Sequence, residues 1–145
     1  MLSQAVATEN PNGFLSGLWQ LTYRNPIYSY TLLGSTPERL LGTPPELLNG
    51  NASCGQAILA GLSLFQGRRY NFSSFKSLPN QTSNQWLMHL HSFDWLSDLH
   101  SVGSNDASIR AQELITEWID LYGKWDNFCW RPDILGARLA NWTTN

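Results

Sequence analysis

The apolar residues of the second half of the chain recur with helical period, and this pattern limits the fold more than any other feature of the sequence. Between residues 105 and 122 they follow an i, i+3, i+4, i+7 series, which gives an amphipathic helix one buried stripe. The stripe contains Ala111, Leu114, Ile115, Trp118, Ile119 and Tyr122. Asn105 or Asp106 is placed to cap this helix, and Gly123 is placed to end it. The pattern therefore predicts a long helix at the centre of the second half.

Two more helices are predicted on either side of it. One begins after Thr82 or Ser83 and runs to about His100, and it is apolar on most sides, which predicts neighbours on several sides. The other begins at Pro132, a residue favoured at a first helical position, and runs to about Trp142. Short connections between such helices are typical of an array of helical hairpins.

The first half is less regular. Residues 1–13 are a polar leader, and residues 14–83 are predicted to hold short helices, a Gly- and Pro-rich connector over 42–55 and a β-hairpin. The hairpin is indicated by alternating apolar and polar residues about Gln66-Gly67. Residues 84–145 form the third predicted region, so the fold class is mainly α with a small β-hairpin.

Charge and composition exclude several classes of function. The net charge of -2 argues against a general nucleic-acid binder, which needs a basic face. No apolar run approaches the roughly 18–20 residues of a membrane span, and no secretory signal is visible. The sequence as read is cytoplasmic, and the choice between cytoplasm and periplasm stays open. The two cysteines, Cys54 and Cys129, stand in no metal-ligand cluster, so neither a metal nor a cofactor is predicted. The seven Trp residues indicate either a core of large side chains or a sugar-binding surface.

The sequence carries none of the common catalytic motifs, such as a nucleophile elbow, a P-loop or HExxH. One candidate for chemistry is the pair His91 and Asp94, which are adjacent on a helix surface. A carboxylate there would fix the imidazole tautomer, in a structural pair or in a base. Metal binding is disfavoured because His89 and His91 point about 200° apart on a helix.

The second candidate is Arg138, which lies inside the apolar stripe of the last predicted helix. An unpaired buried charge is very costly, so this guanidinium is expected to find an anion. It would form either a structural salt bridge to Asp94 or Asp98, or a fork for a sugar carboxylate or sulfate. Gly136 in the same helix predicts close packing or the approach of a ligand.

Three stretches of the chain resemble the N-terminal part of the heparinase II/III family of bacterial polysaccharide lyases. They are NPIYSYTLLG with TPERLL (25–34 and 36–41), GNASCGQAILAG with FQGRR (50–61 and 65–69), and the helical segments at 86–99, 115–119 and 130–142. The resemblance implies an incomplete α/α toroid of helical hairpins, of which residues 84–145 would supply the first helices. It also implies β-elimination on acidic, uronate-containing polysaccharides.

The resemblance places the family's catalytic residues beyond the end of this sequence. The chain is therefore expected to be an inactive N-terminal fragment, whose partners are an acidic polysaccharide and the missing C-terminal remainder. His91, Arg138 and Trp142 are carried over as residues that line the substrate cleft. The alternative is a stand-alone helical module for protein interaction or glycan binding.

Overall fold

The computed structural model describes residues 25, 27, 30, 34, 42, 49–78 and 82–145. The chain divides into two compact units, residues 1–39 and 40–145, and the second unit contains almost all described residues. The predicted polar leader over 1–13 lies outside the described residues, as do most of the short helices predicted before residue 42.

The described part of the second unit contains five α-helices, one two-stranded antiparallel sheet and a 3-10 turn, so the predicted mainly α class with a small hairpin is confirmed. The assembly of helical hairpins into a toroid stays a prediction. In the described residues no helix is both long and apolar enough to cross a membrane. The elements are α1 (Ala52–Leu59), β1 (Leu62–Phe65), β2 (Arg68–Asn71), the 3-10 turn (Phe75–Ser77), α2 (Asn84–Ser92), α3 (Leu96–Val102), α4 (Asn105–Tyr122) and α5 (Pro132–Thr144).

Serine caps begin two of the predicted helices. The Ser83 side chain accepts a hydrogen bond from the backbone N–H of Trp86, which confirms one of the two predicted caps of α2. Ser104 caps α4 in the same way, by accepting from the N–H of Ala107. The prediction that Asn105 or Asp106 would cap α4 is therefore wrong by one or two residues.

The single helix predicted from residue 84 to about His100 is two helices. Phe93 adopts left-handed backbone angles, with φ 63° and ψ 29°, and ends α2 before α3 begins. In a continuous helix Phe93 and Trp95 would point about 200° apart. The break instead lets both rings reach 0% exposure in one core, and the indole N–H of Trp95 donates to the Leu90 carbonyl at 3.1 Å.

The predicted hairpin is confirmed. Gln66 and Gly67 both have positive φ, 50° and 73°, as a two-residue type I′ turn requires. One face of the hairpin packs on α2, where the Phe65 ring stacks on His89 and the Tyr70 ring stacks on Trp86, with ring centroids 4.7 and 4.8 Å apart. The hairpin is thereby fixed to the helical core.

The connector predicted over residues 42–55 is wrong from residue 52 onward, where α1 begins. Asn51 caps α1 through Ser53, and its own backbone N–H donates to the Asp98 carboxylate at 2.7 Å. A Cβ on Gly55 would overlap the backbone carbonyl of Asp98 and meet the Val102 side chain at 2.5 Å. The missing side chain therefore allows α1 to lie directly against α3.

Tryptophans fill the core between α2, α3 and α4. Trp86 and Trp95 are 0% exposed and Trp118 is 2% exposed. Edge-to-face and tilted ring contacts join them to Phe72, Phe75 and Phe93, a geometry that suits aromatic quadrupoles. For these three residues the core interpretation of the Trp content is confirmed.

Candidate functional site

The guanidinium of Arg138 lies in a cage of tryptophan rings. It projects from α5 and is 1% exposed. Its central carbon lies 4.2 Å from the ring centroid of Trp118, 5.1 Å from that of Trp130 and 5.9 Å from that of Trp142. Such cation–π contacts are strongest where the cation is desolvated, as it is in this cage.

Backbone carbonyls supply the polar partners of Arg138. Its Nη1 donates to the carbonyl oxygens of Cys129 and His91, at 3.0 and 3.3 Å. Its Nη2 is buried and has no hydrogen-bond partner among the described residues. Burial lowers the pKa of Arg138. The guanidinium therefore ties the α5 segment to the end of α2 and to the turn at Cys129.

No described carboxylate forms a salt bridge with Arg138, so the predicted bridge to Asp94 or Asp98 is wrong. Asp94 instead lies 3.4 Å from Nδ1 of His89 and accepts from the side-chain amide of Asn141 at 3.0 Å. Asp98 accepts from the N–H of Asn51. Aromatic faces and carbonyl oxygens thus replace the expected anion.

The imidazole of His91 is buried beside this cage, at 4% exposure. The indole N–H of Trp118 donates to its Nδ1 at 2.9 Å, which requires an unprotonated Nδ1. Burial lowers the pKa of His91 to about 4, and the nearby charge of Arg138 acts in the same direction. The predicted pairing of His91 with Asp94 is wrong, because α2 ends between them.

The structure thus brings His91, Arg138 and Trp142 together, but it buries the first two in the core. A binding role for the three residues stays a prediction. Apart from the neighbouring backbone of its own helix, no heavy atom lies within 4 Å of the position that a Cβ on Gly136 would occupy, so the predicted close packing there is wrong.

Trp142 also lines an open cleft of about 360 Å³ between α3, α4 and the end of α5. Its walls are mainly apolar and include Leu96, Leu99 and Ile115. The titratable group among its lining residues is His100. Ser108, Gln112 and Asn145 add polar atoms to the walls, but with one titratable lining residue the cleft offers no acid–base pair among its lining residues.

Nucleophile and metal chemistry find no support in the described residues. They contain no group of three His, Cys, Asp or Glu side chains that could hold a metal ion. Burial and the adjacent Asp126 raise the pKa of Cys129 to about 12, so its thiol stays protonated. Cys54 and Cys129 are both free thiols.

A second candidate surface, the outer side of the β-hairpin, was missed by the sequence reasoning. Arg69 lies on that side, whereas Arg68 alternates to the side of Phe65; both side chains are exposed and form no ion pair within the described residues. The sequence holds a signal that would have found it. Between Glu46 and Asp94 the chain contains no acidic residue, but it contains the basic residues Arg68, Arg69 and Lys76. A local charge count therefore identifies the hairpin as a basic segment of an acidic chain.

Comparison with known proteins gives one informative similarity. No family model matches the chain, and no solved structure matches it. FtsZ-localized protein C of Caulobacter vibrioides (strain NA1000 / CB15N) is 34% identical to it over 105 residues. The match covers 71% of this chain but 18% of the relative, so the chain spans less than a fifth of that protein's length.

These comparisons correct the functional assignment made from the sequence. The heparinase II/III resemblance is wrong, because no family model supports it and the relative is named for its localisation with FtsZ. The inferred β-elimination and the acidic polysaccharide partner are overturned with it. The chain is similar to a segment of an FtsZ-localized protein.

Proposed function

We propose that this chain is a helical protein-interaction module that associates with an FtsZ assembly. The observation that carries the proposal is the 34% identity to FtsZ-localized protein C, which extends over 71% of the chain. That share of the chain is large enough to include most of the helical unit described above. The partner is accordingly a protein, rather than a glycan.

The described surface supports an interaction role in two ways. Ile119 of α4 and Leu139 of α5 are large apolar side chains that remain 49% and 52% exposed. The hairpin adds positive charge that forms no ion pair within the part of the chain that the structure describes. Protein interfaces commonly combine apolar contacts with charges that guide association.

The proposal is tested by imaging the 145-residue chain, fused to a fluorescent protein, in cells of its own organism. We expect the fusion to colocalise with FtsZ and to disperse when FtsZ is depleted. The fluorescent protein alone serves as the control. A fusion that is intact by immunoblot but stays diffuse while FtsZ structures are present would contradict the proposal.

A further inference from the structure

We propose that the free edge of β2 binds an acidic, extended segment of the protein partner, which adds to the hairpin as a third strand. The inference rests on the proposed function for the setting of the partner. It names the surface that makes the contact and the chemistry of the segment that occupies it.

The hydrogen-bond pattern of the hairpin turns this edge away from β1. The backbone N–H of Phe72 donates to the Gly61 carbonyl at 2.8 Å, which makes residues 61 and 72 a hydrogen-bonded pair. Such pairs alternate along an antiparallel ladder, and the register places Ser63 opposite Tyr70 as the next one. The backbone N–H and C=O groups of Arg69 and Asn71 therefore point away from β1.

No other strand pairs with this edge in the described part of the chain, because the sheet there has two strands. Arg69 and Asn71 are both exposed. An edge strand with free N–H and C=O groups is a template for an incoming strand, and peptide-binding domains use it in this way.

The charge of the edge selects the occupant. Side chains of Arg69 and Asn71 lie on the outer face of the hairpin, because the neighbouring Tyr70 packs inward on Trp86. Residues of an added strand that stand opposite Arg69 would share this outer face. A carboxylate at that position would pair with a guanidinium that has no other ion-pair partner among the described residues.

The hairpin is already held in the conformation that binding requires. Its turn is of the type that matches the twist of the strands, and Phe65 and Tyr70 anchor its inner face to α2. The hairpin therefore loses little conformational entropy when a segment binds, which favours a high affinity.

The test is a fluorescence anisotropy titration of the whole chain into a labelled peptide of alternating Glu and Thr residues. We expect saturable binding that weakens at least about tenfold in Arg69→Glu, a loss typical of an opposed charge at a contact. Lys124→Glu makes the same change of charge in the turn after α4 and is the matched control, with affinity expected to stay within about twofold of the unmodified chain.

Two further arms separate strand addition from simple attraction between charges. Asn71→Pro removes the N–H that points away from β1 and leaves the hydrogen bonds between β1 and β2 in place. Because proline is tolerated at a strand edge that faces solvent, peptide binding should fall while the circular dichroism spectrum stays unchanged. A peptide N-methylated at alternate residues keeps its charge but loses backbone donors, and it should bind at least about tenfold more weakly.

Equal binding of the plain and N-methylated peptides, or of the chain and Arg69→Glu, would overturn the inference. So would tight binding to phosphatidylserine vesicles or duplex DNA with no binding to the peptide. Failure of the proposed function has a different signature: the peptide binds as expected, but the fluorescent fusion does not follow FtsZ. If the fusion follows FtsZ and Arg69→Glu and Asn71→Pro follow it equally well, the strand-addition inference alone fails.

Discussion

A single arginine shows how the described core accommodates a charge without a carboxylate. Arg138 lies among the rings of Trp118, Trp130 and Trp142 and donates to two backbone carbonyls. Removing a buried donor leaves its acceptors desolvated and unpaired, which costs more than the bond itself contributes. Arg138 is therefore a structural element of the core.

We predict that Arg138→Met lowers the free energy of unfolding by about 2–3 kcal/mol, because methionine fills much of the space but leaves two carbonyls and three ring faces without a donor. Urea unfolding followed by tryptophan fluorescence measures the change. Arg131→Met is the control, since Arg131 pairs with Asp133 near the surface, and its loss is expected to be at most about 1 kcal/mol. A fully stable Arg138→Met variant would refute the structural role.

His91 gives the fold a dependence on pH. Its pKa is lowered from 6.5 to about 4, so the unfolded chain binds a proton on His91 at pH values where the folded chain does not. The contribution of His91 to the free energy of unfolding is therefore complete above pH 6.5, and it is lost as the pH falls towards 4. The loss from this group is expected to reach about 3 kcal/mol, at 1.36 kcal/mol per unit of pKa.

The variant His91→Gln tests this prediction, because its side-chain oxygen can still accept from Trp118 but does not titrate. Urea midpoints are compared at pH 7 and pH 5. The chain should lose more stability than the variant between the two values. The same loss in both would show that other groups cause the pH dependence.

At the scale of elements, the contact between α1 and α3 depends on a residue without a side chain. We predict that Gly55→Ala destabilises the fold by about 1–3 kcal/mol, because its Cβ overlaps the Asp98 carbonyl and the backbones must separate. Gly136→Ala is the matched control in a helix with open space, and it should stabilise the fold by about 0.5–1 kcal/mol. Thermal melting of both variants measures the two shifts, and equal shifts would contradict the described packing.

Elements with strong local signals were predictable. The hairpin follows from strand alternation about Gln66-Gly67, and α4 and α5 follow from their apolar spacing, Gly123 and Pro132. The break at Phe93 was not predictable from local pattern. A phenylalanine with left-handed backbone angles is strained. The burial of Phe93 and Trp95 offsets this strain, and that burial depends on the tertiary fold.

At the scale of the whole molecule, charge is divided between elements. The Lys, Arg, Asp and Glu side chains between Glu46 and Asp94 are all basic, whereas the segment from Asp94 onward contains most of the acidic residues. The second unit therefore has a basic hairpin and an acidic α4. The electric field between them orients a charged partner as it approaches.

The candidate site was only partly predictable from sequence. Arg138 and Trp142 are four residues apart, which places them together on α5. The approach of His91 and the burial of the cluster depend on how α2, α4 and α5 pack. The basic hairpin was detectable by a local charge count, whereas its free edge required the observed register. The polysaccharide assignment was wrong because it rested on short motifs in apolar helices. Such motifs arise from the requirements of helix packing as well as from common ancestry.

The most direct test of the account is co-sedimentation of the purified 145-residue chain with polymerised FtsZ from its own organism. We predict that the chain pellets with FtsZ in the presence of GTP and stays in the supernatant without FtsZ. A smaller fraction of the Arg69→Glu variant should pellet under the same conditions. A folded chain that remains in the supernatant at every concentration of polymerised FtsZ would contradict the interaction proposed here.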